Sequence, residues 1–194
     1  HRDRIMLYSL IKEMFTSHLQ GLPRLAGLQR DGSPHWLPEA EKWLEEAENL
    51  MGRFRFPEGG RIAIARGNIA KARDMPTGEG QHPRKQIERT IRRAAQEALE
   101  EAANLLTDRA RTAEDRLQSF RDKLCEGITA YRVQLPADAE TVPAPSSLWR
   151  GLKGFEPARA LLSYVEVSLG KQDIEYILLD ICETWAGNLS RSAD

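Results

Sequence analysis

Between Pro83 and Arg132 the chain has no further proline and a single glycine, Gly127, while apolar residues keep returning to one side of a helix. They stand at Ile87, Ile91, Ala94, Ala98, Ala102 and Leu105, and again at Ala113, Leu117, Phe120, Leu124, Ile128 and Tyr131. The mean spacing is about 3.67, an eleven-residue period and not a heptad. This predicts one unbroken helix from about Arg84 to about Tyr131. At ~1.5 Å per residue it would run roughly 70 Å. A compact chain of this length has an expected radius of gyration of only ~16 Å. The helix must therefore protrude, break, or be covered by a partner. Its stripe is interrupted once, at Arg109. Before that point it is mainly alanine, which suits thin packing against one neighbour. After it, Leu, Phe, Ile and Tyr can fill a thicker core.

Helical patterns also flank this element. The first is expected over Arg4 to Gln20, with Leu7, Ile11, Met14, Phe15 and His18 on one stripe and Gly21-Leu22-Pro23 as its stop. After the loop DGSPHWLP, Pro38 suits a first helical turn. The next helix, Glu39 to Arg53, turns Trp43, Leu44, Ala47, Leu50 and Met51 inward. Glu39, Glu41, Glu45, Glu46 and Glu48 make its other face acidic. A third helix, Arg61 to Arg73, ends at the loop MPTGEGQHP. Beyond the long helix, VQLPADAETVPAPSS reads as a Pro- and Ala-rich linker, and SLWRGLKGF as a short helical turn. Ala158 to Leu169 and a last helix capped by Asp173 form an αα-hairpin. Ile174, Ile177, Leu178, Ile181, Cys182, Trp185 and Leu189 form the stripe of that last helix, and Ile177, Ile181 and Trp185 are expected to be buried on Leu117, Phe120 and Leu124.

Strand alternation is absent apart from an ambiguous RIAIA at 61–65. The fold class is therefore all-α, a helical bundle around one very long central helix with a C-terminal αα-hairpin. Its parts are an N-terminal helical region (1–82), the long helix (83–132), and the linker with its hairpin (133–194), in one or two compact units.

Of the 194 residues 41% are hydrophobic, enough for a core, and the formal net charge is -1. No whole-molecule charge draws the chain to polyanions. No apolar run reaches the roughly 18–20 residues of a membrane span. Cys125 and Cys182 have no ligand-spaced partner, which predicts free buried thiols in a reducing compartment, the cytoplasm. The start at His1 predicts a piece of a longer protein. Arginine outnumbers lysine 21 to 7, a bias common in GC-rich bacterial genomes.

Chemistry-bearing patterns are missing. The four histidines lack helical partners for zinc or di-iron, and His18 reads as a core or interface residue. PEGGR and PTGEGQHPRK lack the spacing of a phosphate loop. No residue is assigned a catalytic, cofactor-binding or metal role, and no cofactor is expected. The expected function is a noncatalytic helical interaction or scaffolding module that takes a protein partner or a second copy of the chain. Leu7, Ile11, Phe15, Ile87 and Ile91 are its candidate partner-helix surface.

The alternative is a nucleic-acid-contacting module, with an enzyme lacking any recognisable motif third. From Arg53 to Arg93 there are eleven Lys or Arg against four Asp or Glu. Arg53, Arg55, Arg61, Arg66, Lys85, Arg89, Arg92 and Arg93 are the candidate phosphate contacts. The competing expectations are internal pairing, with Arg89, Arg92 and Arg93 held by the acidic face Glu39 to Glu48, and an acidic protein partner on the same patch.

Overall fold

The structure, a computed structural model, describes residues 7–75, 83–132 and 143–191, with side chains followed as far as Trp185. In chain order the elements are α1 (Tyr8–Leu19), α2 (Leu22–Arg30), α3 (Trp36–Arg53), α4 (Gly59–Arg73), α5 (Pro83–Arg132), α6 (Pro145–Gly154), a 3-10 turn (Glu156–Ala158), α7 (Arg159–Ser168) and α8 (Lys171–Arg191). Among the described residues there is no strand, as the absence of alternation predicts.

The long helix α5 runs 50 residues without a break, straight through Gly127. Its length has a topological explanation. Residue contacts divide the chain into two compact units, residues 11–111, and residues 112–194 together with those up to 10. The helix serves one unit and then the other. The change falls two residues beyond Arg109, where the apolar stripe is interrupted.

In the unit 11–111, α5 contributes the small buried residues Ala95, Ala98 and Ala102, then Leu105 and Leu106. The alanine half of the stripe is thus part of a packed core, because small side chains let helices approach closely. Ile11 and Phe15 of α1 are buried in this unit as well, 1% and 0% exposed. They cannot serve as a partner-facing surface, which corrects that part of the sequence expectation. Gly21-Leu22-Pro23 ends α1 but also opens α2, since Pro23 sits in the first turn of a helix that buries Leu25. In α3, Ala40, Trp43, Leu44, Ala47 and Met51 face inward. The helix starts at Trp36, ahead of the expected Glu39. The connection from α3 to α4 is tight. Arg55 adopts φ 58, unusual for a residue with a Cβ. Phe54 and Phe56 on either side of it both pack edge-on against Phe15, with centroids 5.5 and 6.0 Å away.

In the other unit the hairpin docks as expected. Leu117, Phe120, Leu124 and Ile128 of α5 share one core with Leu148 and Leu152 of α6, Leu162 and Val165 of α7, and Ile174, Ile177, Leu178 and Ile181 of α8. Trp185 is partly buried against this core, with Arg132 lying over its ring at 3.8 Å. The short turn expected in SLWRGLKGF is a full helix, α6, starting at Pro145 inside the stretch read as linker. Asp173 does not cap α8, which begins two residues earlier at Lys171. Its carboxylate reaches the start of α1 instead.

The expected start of the first helix at Arg4, most of the loop MPTGEGQHP, linker residues 133–142 and the Leu189 side chain lie outside the described residues.

Candidate functional site

Ile87 and Ile91 stand one turn apart on the first turns of α5, and both remain half-buried. With Trp36 and Leu37 at the start of α3, and with Gly32, Ser33 and Pro34 before it, they line a groove of about 520 Å³ within the unit 11–111. Arg84, Glu88 and Arg92 complete the lining. Trp36 is 3% exposed, and its indole N–H has no acceptor among the described residues. An orphaned buried donor costs roughly 1–3 kcal/mol. Of the other expected partner-surface residues, Leu7 is half-buried ahead of α1, while Ile11 and Phe15 are in the core described above.

The same stretch of α5 carries most of the cations. Arg84, Lys85, Arg89, Arg92 and Arg93 are all exposed. Arg92 pairs with Glu88 at 3.1 Å and Arg93 with Glu97 at 2.8 Å, both one turn away on α5 itself. Arg84, Lys85 and Arg89 show no carboxylate partner among the described residues.

Pairing of Arg89, Arg92 and Arg93 with the acidic face of α3 does not occur. Those carboxylates are engaged elsewhere. Glu39 meets Arg24 at 3.5 Å, and Glu41 meets Arg73 at 2.7 Å. Glu45 and Glu48 share Arg66, at 3.9 and 2.5 Å, and Glu46 lies 3.8 Å from His18. The reason is chain connectivity. The tight turn after α3 lays α4 beside it, so Arg66 and Arg73 reach the acidic face.

The remaining candidate phosphate contacts divide in two. Arg61 pairs with Glu101 at 2.5 Å and Arg66 with α3, so both are internally matched. Arg53 and Arg55 are exposed around the α3–α4 turn. The rings between and after them, Phe54 and Phe56, turn inward to Phe15 and offer no stacking platform for bases.

Two other constellations in this unit are structural. His18 and Trp43 stack at 4.5 Å and bond reciprocally. The indole N–H donates to the His18 carbonyl at 3.0 Å, and His18 Nε2 lies 3.0 Å from the Trp43 carbonyl. A carbonyl only accepts, so Nε2 carries the hydrogen. The pair ties α1 to α3, as a core histidine would. The neighbouring groove of about 850 Å³ mixes Glu13, Glu39 and Glu46 with Arg24, Lys42 and Arg53 and favours neither sign. Arg109 lies over the Phe56 ring at 4.3 Å and pairs with Glu58. A backbone hydrogen bond at Glu58 holds its carboxyl below the usual range. Desolvation opposes this, while Arg109 and then Arg61 reinforce it.

Both cysteines are free, and burial pushes both thiols up, so neither is an activated nucleophile. Among the described residues no group of three or more His, Cys, Asp or Glu could hold a metal ion, and no helix is long and apolar enough to cross a membrane.

Sequence reading singled out Ile87, Ile91 and the cations but not Trp36 and Leu37, which line the same groove. The run DGSPHWLP looked like a loop, although a tryptophan two residues before Pro38 was a signal that the helix starts there. No protein-family model, curated protein or solved structure matches the chain.

Proposed function

We propose that the chain is a noncatalytic protein-interaction module that engages its partner through the start of α5. One observation carries this reading. Ile87 and Ile91 line an apolar groove beside Trp36, amid cations that the protein's own acidic helix leaves unmatched. A surface that combines apolar anchors with a charged rim is the composition of a protein interface.

The test is a photo-crosslinking residue placed at Ile87 in the full protein in its own cells, with the same residue at the exposed Ile64 as control. A discrete, nuclease-resistant polypeptide adduct from position 87 and none from 64 is the expected result. Titration with duplex DNA and single-stranded RNA runs beside it. Affinity falling with salt at a slope of roughly -0.9 per phosphate contact on duplex DNA would favour nucleic-acid contact instead. So would a lower slope on replacing Arg89, Arg92 and Arg93 by glutamine.

A further inference from the structure

We infer that the occupant of the α5 groove is an acidic amphipathic helix of a partner protein. The inference rests on the protein-interaction reading and adds the partner's chemistry. The first argument is charge. Residues 84–93 hold five cations and one carboxylate, Glu88, which Arg92 already takes. They lie in the opening turns of α5, at the positive end of its macrodipole, so cations there oppose the helix and an anion nearby is doubly favoured. All five glutamates of α3 between 39 and 48 face Arg24, Arg66, Arg73 or His18, which leaves that demand unmet among the described residues.

The second argument is shape. Ile87 and Ile91 form a two-step ridge with one-turn spacing, and Leu37 and Pro34 line the same groove. Apolar residues of a helix at i, i+3 and i+4 match such a ridge, while glutamates beside that stripe would meet Arg84, Lys85 and Arg89. The third is the donor without an acceptor. The Trp36 indole N–H is buried in the lining, and a carboxylate seated in the groove brings an oxygen to it once the ring adjusts. A lipid tail or a polynucleotide meets only some of these features. A tail carries one anionic group, and a polynucleotide lacks the aliphatic stripe.

The experiment is NMR on the intact, isotope-labelled chain. The Trp36 indole N–H is assigned by W36F, and the Ile87 and Ile91 methyls are followed. Three synthetic peptides serve as probes: a Leu/Glu amphipathic helix, its Leu/Lys counterpart, and a shuffled Leu/Glu peptide without a stripe. The Leu/Glu helix should shift all three reporters saturably. I91E should weaken it about tenfold or more, as loss of an interface anchor does. R84E with R89E, two exposed positions that leave the core untouched, should weaken it similarly and transfer binding to the Leu/Lys peptide. Equal binding of the shuffled or lysine peptide, shifts elsewhere in the molecule, or no shifts at all would overturn the proposal. So would displacement of the reporters by oleate or by single-stranded RNA in preference to the Leu/Glu helix. The two readings fail separately. A crosslinked partner whose contacting segment is basic or uncharged leaves the interaction module standing and removes its acidic occupant. Nuclease-sensitive adducts with salt-steep binding remove both.

Discussion

The carboxylate of Asp173 caps α1 through Ser9, a residue 164 positions earlier in the chain. Its Oδ1 accepts the Ser9 backbone N–H at 2.9 Å and also the Ser9 hydroxyl, while Oδ2 accepts the Tyr8 N–H at 2.9 Å. The first N–H groups of a helix have no acceptor within it, and here all this occurs with Asp173 fully buried. Asp173→Ala should therefore destabilise the protein by about 3 kcal/mol, since it strands three donors. Asp173→Asn keeps one acceptor oxygen and should lose roughly half as much. Urea midpoints of the two variants decide it, and an alanine cost near zero would mean that water replaces the carboxylate.

The contact of α3 with α4 depends on the missing side chain of Gly59. A Cβ there would lie 2.9 Å from the Met51 Cβ, and neither atom is the loose end of a side chain. Gly59→Ala should cost about 1–3 kcal/mol, as overpacking does. The adjacent Gly60 meets nothing within 4 Å, so Gly60→Ala should be neutral or stabilise by up to ~1 kcal/mol through helix propensity. Thermal unfolding of the pair reads the contrast, and equal shifts in both would remove the close-approach argument.

Glu58 sets a pH dependence with a definite sign. Its folded carboxyl lies below the ordinary value of 4.5, chiefly through a backbone hydrogen bond and then through Arg109. The stability it contributes is thus present above that ordinary value and disappears as pH falls through the lower folded one. Wild type should exceed Glu58→Gln in denaturant midpoint at pH 6, and the gap should close on approach to pH 3. A gap that is constant over this range would show that the ionised form is not what matters.

The thiols should be slow. Burial raises both, so the thiolate fraction at neutral pH is below that of an exposed cysteine. Cys182 is buried and Cys125 only partly so. Iodoacetamide should modify Cys125 first, and Cys182 at a rate that tracks unfolding. Mass spectrometry of a labelling time course gives the order, and faster reaction at Cys182 would contradict the packing of α8.

What the sequence revealed and what it hid follow from range. The stripe of α5 and the hairpin were legible because i, i+3 and i+4 repetition is written locally, and Arg109 marked the place where one core ends. α2 was hidden because Gly21-Leu22-Pro23 stops one helix with the same residues that begin another. Asp173 looked like a local cap because its real partner, Ser9, has no neighbour in sequence to announce it. The acidic face of α3 was legible as a face, but not its choice of Arg66 and Arg73 over the arginines of α5, which the tight turn around Arg55 decides. The groove was half legible. Ile87 and Ile91 interrupt a basic stretch, whereas Trp36 joins them only through tertiary packing.

The division of the chain into a continuous unit and a discontinuous one has a consequence for biosynthesis. Residues 11–111 are contiguous, and every contact internal to that unit is available once Arg111 has left the ribosome. Tyr8 and Ser9 are made before all of it, yet their acceptor, Asp173, emerges more than 160 residues later. The opening of α1 must stay without this cap until Asp173 emerges. A later-made helix, α8, therefore fastens an earlier one, α1, and a nascent chain halted before Asp173 would carry a finished unit 11–111 with the opening of α1 still unfastened.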